Sequence, residues 1–191
     1  MWYNMCIPIQ FTSYINKKGY DSMKKFKEIS PSEINKNAFD LIGKDWMLVT
    51  ARKGGGCNTM TASWGGLGIM WNKPVAFTFI RPQRYTFGLI ENEDYFTLSF
   101  YGEEYRNALK FCGTKSGRQY DKVKECGFTP VYDETSVYFE EAELVLVCKK
   151  LYGQGLNEES ILNNETVLPN YNGDDYHKMY VSEIVKVLKK Q

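Results

Sequence analysis

Strand-like runs joined by turns and short helices, without regular β-α alternation, are what most limits the fold open to this chain. Asp45 to Arg52 reads as a strand, Lys53-Gly54-Gly55-Gly56 as a turn, and Asn58 to Trp64 as the return strand of a hairpin. Pro74 introduces a strand over Val75 to Ile80. Tyr95 to Tyr101, Val137 to Phe139 and Glu143 to Tyr152 follow, rich in aromatic and β-branched residues. The last run, Met179 to Leu188, places Val181, Ile184, Val185 and Leu188 at helical spacing, yet its β-branched content favours a strand. Short helices are expected after Ser30-Pro31 up to Gly43, over Thr86 to Glu93, over Glu103 to Phe111, and over Gln119 to Cys126, closed by Gly127. Gly153 to Tyr176 is Asn-, Gly- and acid-rich, with one short helix expected at Glu158 to Leu162. The pattern predicts a mainly β fold with short helices, an antiparallel barrel with helical insertions rather than a doubly wound parallel sheet.

A chain of 191 residues suits one domain, and such a chain buries roughly 70% of its unfolded surface without staples. The 24 basic and 23 acidic side chains nearly cancel, which argues against a nucleic-acid binder built on a broad basic face. His177 is the one histidine, so no site needing two is available. Cys6, Cys57, Cys112, Cys126 and Cys148 are odd in number, widely spaced and without a C-x-x-C pair. They read as reduced thiols of a cytoplasmic protein, not as a zinc site or a disulfide framework. Met1 to Ile15 lacks a basic start and is interrupted by Asn4, Pro8, Gln10 and Thr12, so neither a secretory signal nor a membrane span is expected. Met23 to Glu28 looks helical and Lys-rich. Residues 1–22 are therefore expected to be an extension outside the fold, and 23–191 the domain.

Several familiar sites are missing. No G-x-G-x-x-G follows a strand, Cys112 to Arg118 lacks a G-K-[ST] ending, and there is no G-x-S-x-G or H-E-x-x-H. Only five of the 24 basic residues are arginine, and Arg81-Pro82-Gln83-Arg84-Tyr85-Thr86 holds two of them between a strand end and a helix start. Guanidinium forks, a hydroxyl and free helix-start amides make a phosphate cradle, although two solvated charges on a surface turn would look the same. On a strand, alternation sends Asn58, Met60, Ala62 and Trp64 to one face and Thr59, Thr61 and Ser63 to the other. Such a row of hydroxyls suits the polar edge of a planar ligand, or simply a half-exposed barrel strand. In Ser116-Gly117-Arg118-Gln119-Tyr120-Asp121-Lys122, Ser116 can cap a helix that puts Arg118 and Lys122 on one side, facing an anion or solvent.

Together and in this order, these segments resemble the flavin reductase-like family of FMN-binding split barrels, in particular its flavoredoxin-like branch. The matching pieces are Asn58 to Trp64, Arg81 to Thr86, Cys112-Gly113 with Ser116-Gly117-Arg118 and Asp121-Lys122, and Asp175 to Tyr180. The resemblance spans about residues 23–190. It implies a six-stranded antiparallel split barrel that forms a homodimer with FMN near the subunit interface. It also implies NAD(P)H as electron donor, or else an FMN electron carrier served by a redox partner protein with little NAD(P)H activity. Carried over by residue, Asn58, Met60, Thr61, Ser63 and Trp64 would line the flavin. Arg81, Gln83, Arg84 and Thr86 would hold its phosphate end, with Tyr85, Ser116 and Arg118 also among the cofactor-binding residues. Lys122 would lie near the phosphate or pyrimidine edge, and His177 at the face where the nicotinamide or partner approaches. No metal ligand is implied. Two departures stand out: Ser182 replaces a usual glycine, and Gly153–Tyr176 exceeds the minimal loop.

Overall fold

The computed structural model describes residues 25–191. The expected extension, residues 1–22, lies outside them. The passage read as helical is instead a strand from Phe26 on: β1 (Phe26–Ile29) pairs antiparallel with the chain's last strand, Phe26 opposite Lys190 and Ile29 opposite Val187. Its alternation of buried Phe26 with exposed Lys27 and Glu28 has the two-residue period of a strand, which outweighs local helix propensity.

The principal sheet has eight antiparallel strands. Six are the long runs expected from sequence: β2 (Met47–Lys53), β3 (Gly56–Ala62), β5 (Lys73–Ile80), β6 (Tyr95–Phe100), β9 (Leu144–Gly155) and β10 (Lys178–Lys190). To these the structure adds β1 and β4 (Gly65–Met70). A small hairpin of β7 (Pro130–Tyr132) and β8 (Val137–Phe139) stands apart. In the sheet the order is β3-β2-β6-β9-β10-β5-β4. Its outermost strands, β3 and β4, are consecutive in the chain and joined only by Ser63 and Trp64. The three steps from Ala62 to Gly65 span at most about 10 Å, so the sheet must curl until its edges come near one another. No pairing joins β3 to β4 among the described residues, and the barrel is split there. Gly65 starts β4 so close to β5 that a Cβ would lie 2.7 Å from the Phe77 carbonyl oxygen.

Both faces of β2 are buried. Met47, Val49 and Ala51 face one apolar cluster with Met60, Ile80, Leu98 and Leu146; Leu48 faces a second with Leu109, Tyr138 and Phe139. Helices α1 (Tyr85–Asn92), α2 (Arg106–Thr114) and α3 (Lys122–Glu125) are set between these strands, and the short α4 (Asn164–Val167) lies in the β9–β10 connection. Two expected helices are smaller than foreseen. Pro31–Glu33 is a single 3-10 turn capped by Ser30, separate from a turn of π-helix over Phe39–Lys44. The helix expected from Gln119 begins only at Lys122, with Asp121 as its cap, accepting from the Lys124 amide at 3.2 Å. Ser182 is fully buried beside a register shift between β9 and β10, and its hydroxyl has no hydrogen-bond partner. Among the described residues no helix is long and apolar enough to cross a membrane.

Candidate functional site

The strand-to-helix turn after β5 anchors the site. Ile80 is buried in the core, the Arg84 amide donates to the Arg81 carbonyl (3.1 Å), and α1 starts at Tyr85 with extended Arg84 at its N-cap. No side chain caps that end, so orphan amide donors remain there. Beside it lies a turn in which Gln119 and Tyr120 amides both donate to the Ser116 carbonyl at 3.0 Å. Ser116 thus makes a turn rather than a helix cap, and Arg118 and Lys122 do not share a helical face. Arg118 donates to the Gln83 carbonyl (3.2 Å) and lies over the Tyr85 ring, which fastens the two segments together.

Between them is a cavity of about 340 Å³ lined by Met60, Arg81, Gln83, Arg84, Tyr85, Thr86, Thr114, Lys115, Ser116, Gly117 and Lys122. Four of these carry positive charge and none is a carboxylate. A lining rich in cationic and hydroxyl donors and without a carboxylate fits an anion with several oxygens. Burial, and then the neighbouring Arg81, lowers the Arg84 guanidinium from its ordinary value, so a counter-anion relieves both. Lys122 is 4% exposed and donates to the carbonyls of Thr59 (2.9 Å) and Cys112 (2.7 Å), tying β3 to α2. Burial pushes its ammonium below the usual lysine range.

A second chamber, about 180 Å³, shares Met60, Arg81 and Arg84 with the first and adds Thr61, Ala62, Ser63, Trp64, Phe79 and His177. It opens at the split, where Ser63 and Trp64 bridge the sheet edges. The Trp64 and His177 rings are 4.8 Å apart, tilted by 38°, and His177 Nδ1 lies 3.2 Å from the Tyr171 hydroxyl. Burial first, then Arg81, holds the imidazole down at about 4, with Asp175 opposing and Arg84 adding. It is therefore neutral at neutral pH.

Twelve of the fourteen site residues expected from sequence line one chamber or the other, and Met60, Arg81 and Arg84 line both. Asn58 lies behind the wall: it is 5% exposed, donates to the Thr86 hydroxyl (2.8 Å) and packs against Gly117, where an added Cβ would be 2.1 Å from its Oδ1. Arg118 braces the rim. The expected row of free hydroxyls is largely spent within the protein. Thr59 is fully buried with its Oγ1 2.9 Å from that of Thr50, and Thr61 donates to the Leu109 carbonyl (2.5 Å). Sequence reasoning missed Thr114 and Lys115, the last residue of α2 and its C-cap, and Phe79, which is apolar. None carries a local mark of its position.

The chain matches the flavin reductase-like domain over residues 39–188 and belongs to that family. No curated protein matches it in sequence. Among solved structures, it is similar to flavoredoxin from Methanosarcina acetivorans (21% identity, TM-score 0.60, 77% of this chain and 69% of that one). Flavoredoxin of Desulfovibrio vulgaris is also similar, at 20% identity and a TM-score of 0.61, with 83% of this chain and 75% of that one covered. So is the NADH:FAD oxidoreductase of Streptomyces globisporus, at 15% identity and a TM-score of 0.54, covering 76% and 74%. At these identities the likeness establishes the fold, an antiparallel split barrel.

Proposed function

We propose that this chain binds FMN and acts as an NAD(P)H-dependent flavin reductase-like oxidoreductase that passes electrons on to an acceptor. One observation carries the reading: a cavity with no carboxylate in its lining, where Arg84, Lys115 and Ser116 meet the uncapped start of α1, beside a chamber walled by the Trp64 and His177 rings. Phosphate and planar ring each find a matching surface there. When bound, FMN supplies the hydride-accepting ring, and the protein supplies orientation and charge. Arg84, Lys115, Ser116 and the α1 amides hold the phosphate. Trp64 offers a flat apolar face, and neutral His177 adds polarity to the chamber without adding charge. Lys122, held by two carbonyls, keeps a positive charge beneath the cavity floor and fixes β3, which carries Met60 and Thr61.

Assembly as a homodimer belongs to the same proposal. Ile69 and Trp71, on and just beyond edge strand β4, are 75% and 52% exposed, a cost that association would relieve. Titrating the purified protein with FMN and following flavin fluorescence tests the cofactor. Anaerobic addition of NADH and then NADPH to the loaded protein tests the activity. Loss of the flavin absorption band supports the reductase. Bleaching by dithionite but by neither nucleotide would leave an FMN electron carrier served by a redox partner.

A further inference from the structure

We propose that Asp175 is a positioning residue that fastens the β9–β10 connection over the site, and that Arg81 serves this fastening rather than the phosphate. The inference rests on the FMN reading only in how it divides the arginine motif. β9 and β10 pair directly as far as Gly155 opposite Lys178, so a tight turn would suffice to join them. Residues 156–177 stand there instead and fold back on the turn after β5.

Arg81 is enclosed by this strap. One terminal nitrogen pairs with Asp175 Oδ2, the other donates to the Asn170 carbonyl at 2.6 Å, and the guanidinium lies 5.3 Å from the Tyr171 ring centre. Gln83 donates to the same Asp175 oxygen at 3.1 Å, while Oδ1 accepts from the Asn172 amide at 2.9 Å. Both carboxylate oxygens and both terminal guanidinium nitrogens are thereby engaged inside the protein, and Asp175 already offsets the charge that would draw a phosphate to Arg81. Arg84 differs. It donates to the Gly113 carbonyl (2.7 Å) and meets no carboxylate among the described residues. The strap also sets the second chamber, because Tyr171 contacts both Arg81 and His177, and His177 contacts Trp64. Asp175 therefore fixes the wall against which a nicotinamide or other acceptor-side ring must fit. Arg84, with Lys115 and Ser116, takes the anion.

The test begins with flavin-free, full-length protein. In Asp175→Asn, amide hydrogen exchange over residues 170–177 is expected to quicken about tenfold while the barrel strands exchange as before. Arg81→Lys should do the same, and the double variant should go no further than either single one. FMN affinity should stay within about threefold in both, against a loss of about tenfold or more in Arg84→Met, while the KM for the nicotinamide donor shifts in Asp175→Asn. Unchanged exchange in Asp175→Asn would overturn the fastening. FMN loss in Arg81→Lys equal to that in Arg84→Met would return Arg81 to the phosphate. Failure of the wild-type protein to bind FMN would instead refute the proposed function, and the exchange data would still decide the strap.

Discussion

A single buried histidine makes the acid stability of this protein directly interpretable. His177 is 8% exposed, sits between Trp64 and Tyr171, and faces Arg81, Arg84 and Asp175; its imidazole is held at about 4 against an ordinary 6.5. In the unfolded chain it takes up a proton near pH 6.5, while in the folded chain it stays neutral until about 4. The unfolded state therefore binds more protons across that window, so stability is lost as pH falls from 6.5 towards 4 and is flat below it. At 1.36 kcal/mol per pH unit the full difference would approach about 3.4 kcal/mol. The ring borders an open chamber, and the expected loss between pH 7.5 and 5 is about 1–2 kcal/mol. The carboxylates held low in the fold, Asp133, Asp175, Glu91 and Glu103, shed their stabilisation only below about pH 4.5, outside this interval. Urea unfolding at pH 7.5 and 5, followed by tryptophan fluorescence, should show the drop in the wild type and little of it in His177→Gln. The one imidazole signal in a carbon–proton NMR spectrum should not titrate above pH 5. A midpoint near 6.5, or parallel losses in the two proteins, would refute the argument.

Three other substitutions follow from the packing. Lys122→Met strips two buried carbonyls of a charged donor and should cost about 3 kcal/mol, read as a fall of roughly 6–12 °C in Tm; an unchanged Tm would mean that the lysine does not hold β3 to α2. Gly117→Ala drives a methyl to 2.1 Å from Asn58 Oδ1 and 2.8 Å from Tyr85 Cδ1. Because Thr86 pins Asn58, the cost should be about 1–3 kcal/mol, with weaker FMN binding in a fluorescence titration. Wild-type values in both measurements would show that the turn can yield. Ser182→Ala removes an unpartnered buried hydroxyl and should raise the urea midpoint by the equivalent of about 1 kcal/mol; a lower midpoint would show that the hydroxyl has a partner.

What could be read in sequence was local. The six long strands announce themselves through β-branched and aromatic content, and the turn Arg81–Thr86 through Pro82 and two scarce arginines between a strand and a helix. β4 went unread because Gly65-Gly66-Leu67-Gly68 has neither alternation nor bulk, and its turn uses Trp71 and Asn72 at φ 52° and 58°, where glycine is usual. β1 went unread because four residues gain strand character only by pairing with β10, more than 150 positions away. The site divides in the same way. Its donors were legible because an arginine in a lysine-dominated chain carries its chemistry wherever it stands. Their assignments were not, because a side chain's partner is set by distance: Asp175 reaches Arg81 across 94 positions, and Lys122 reaches Thr59 across 63. Sequence by itself determined which groups can bind an anion and a ring. The curled sheet, by bringing β3 against β4 and folding residues 156–177 over the turn after β5, decided which of those groups are free to do so.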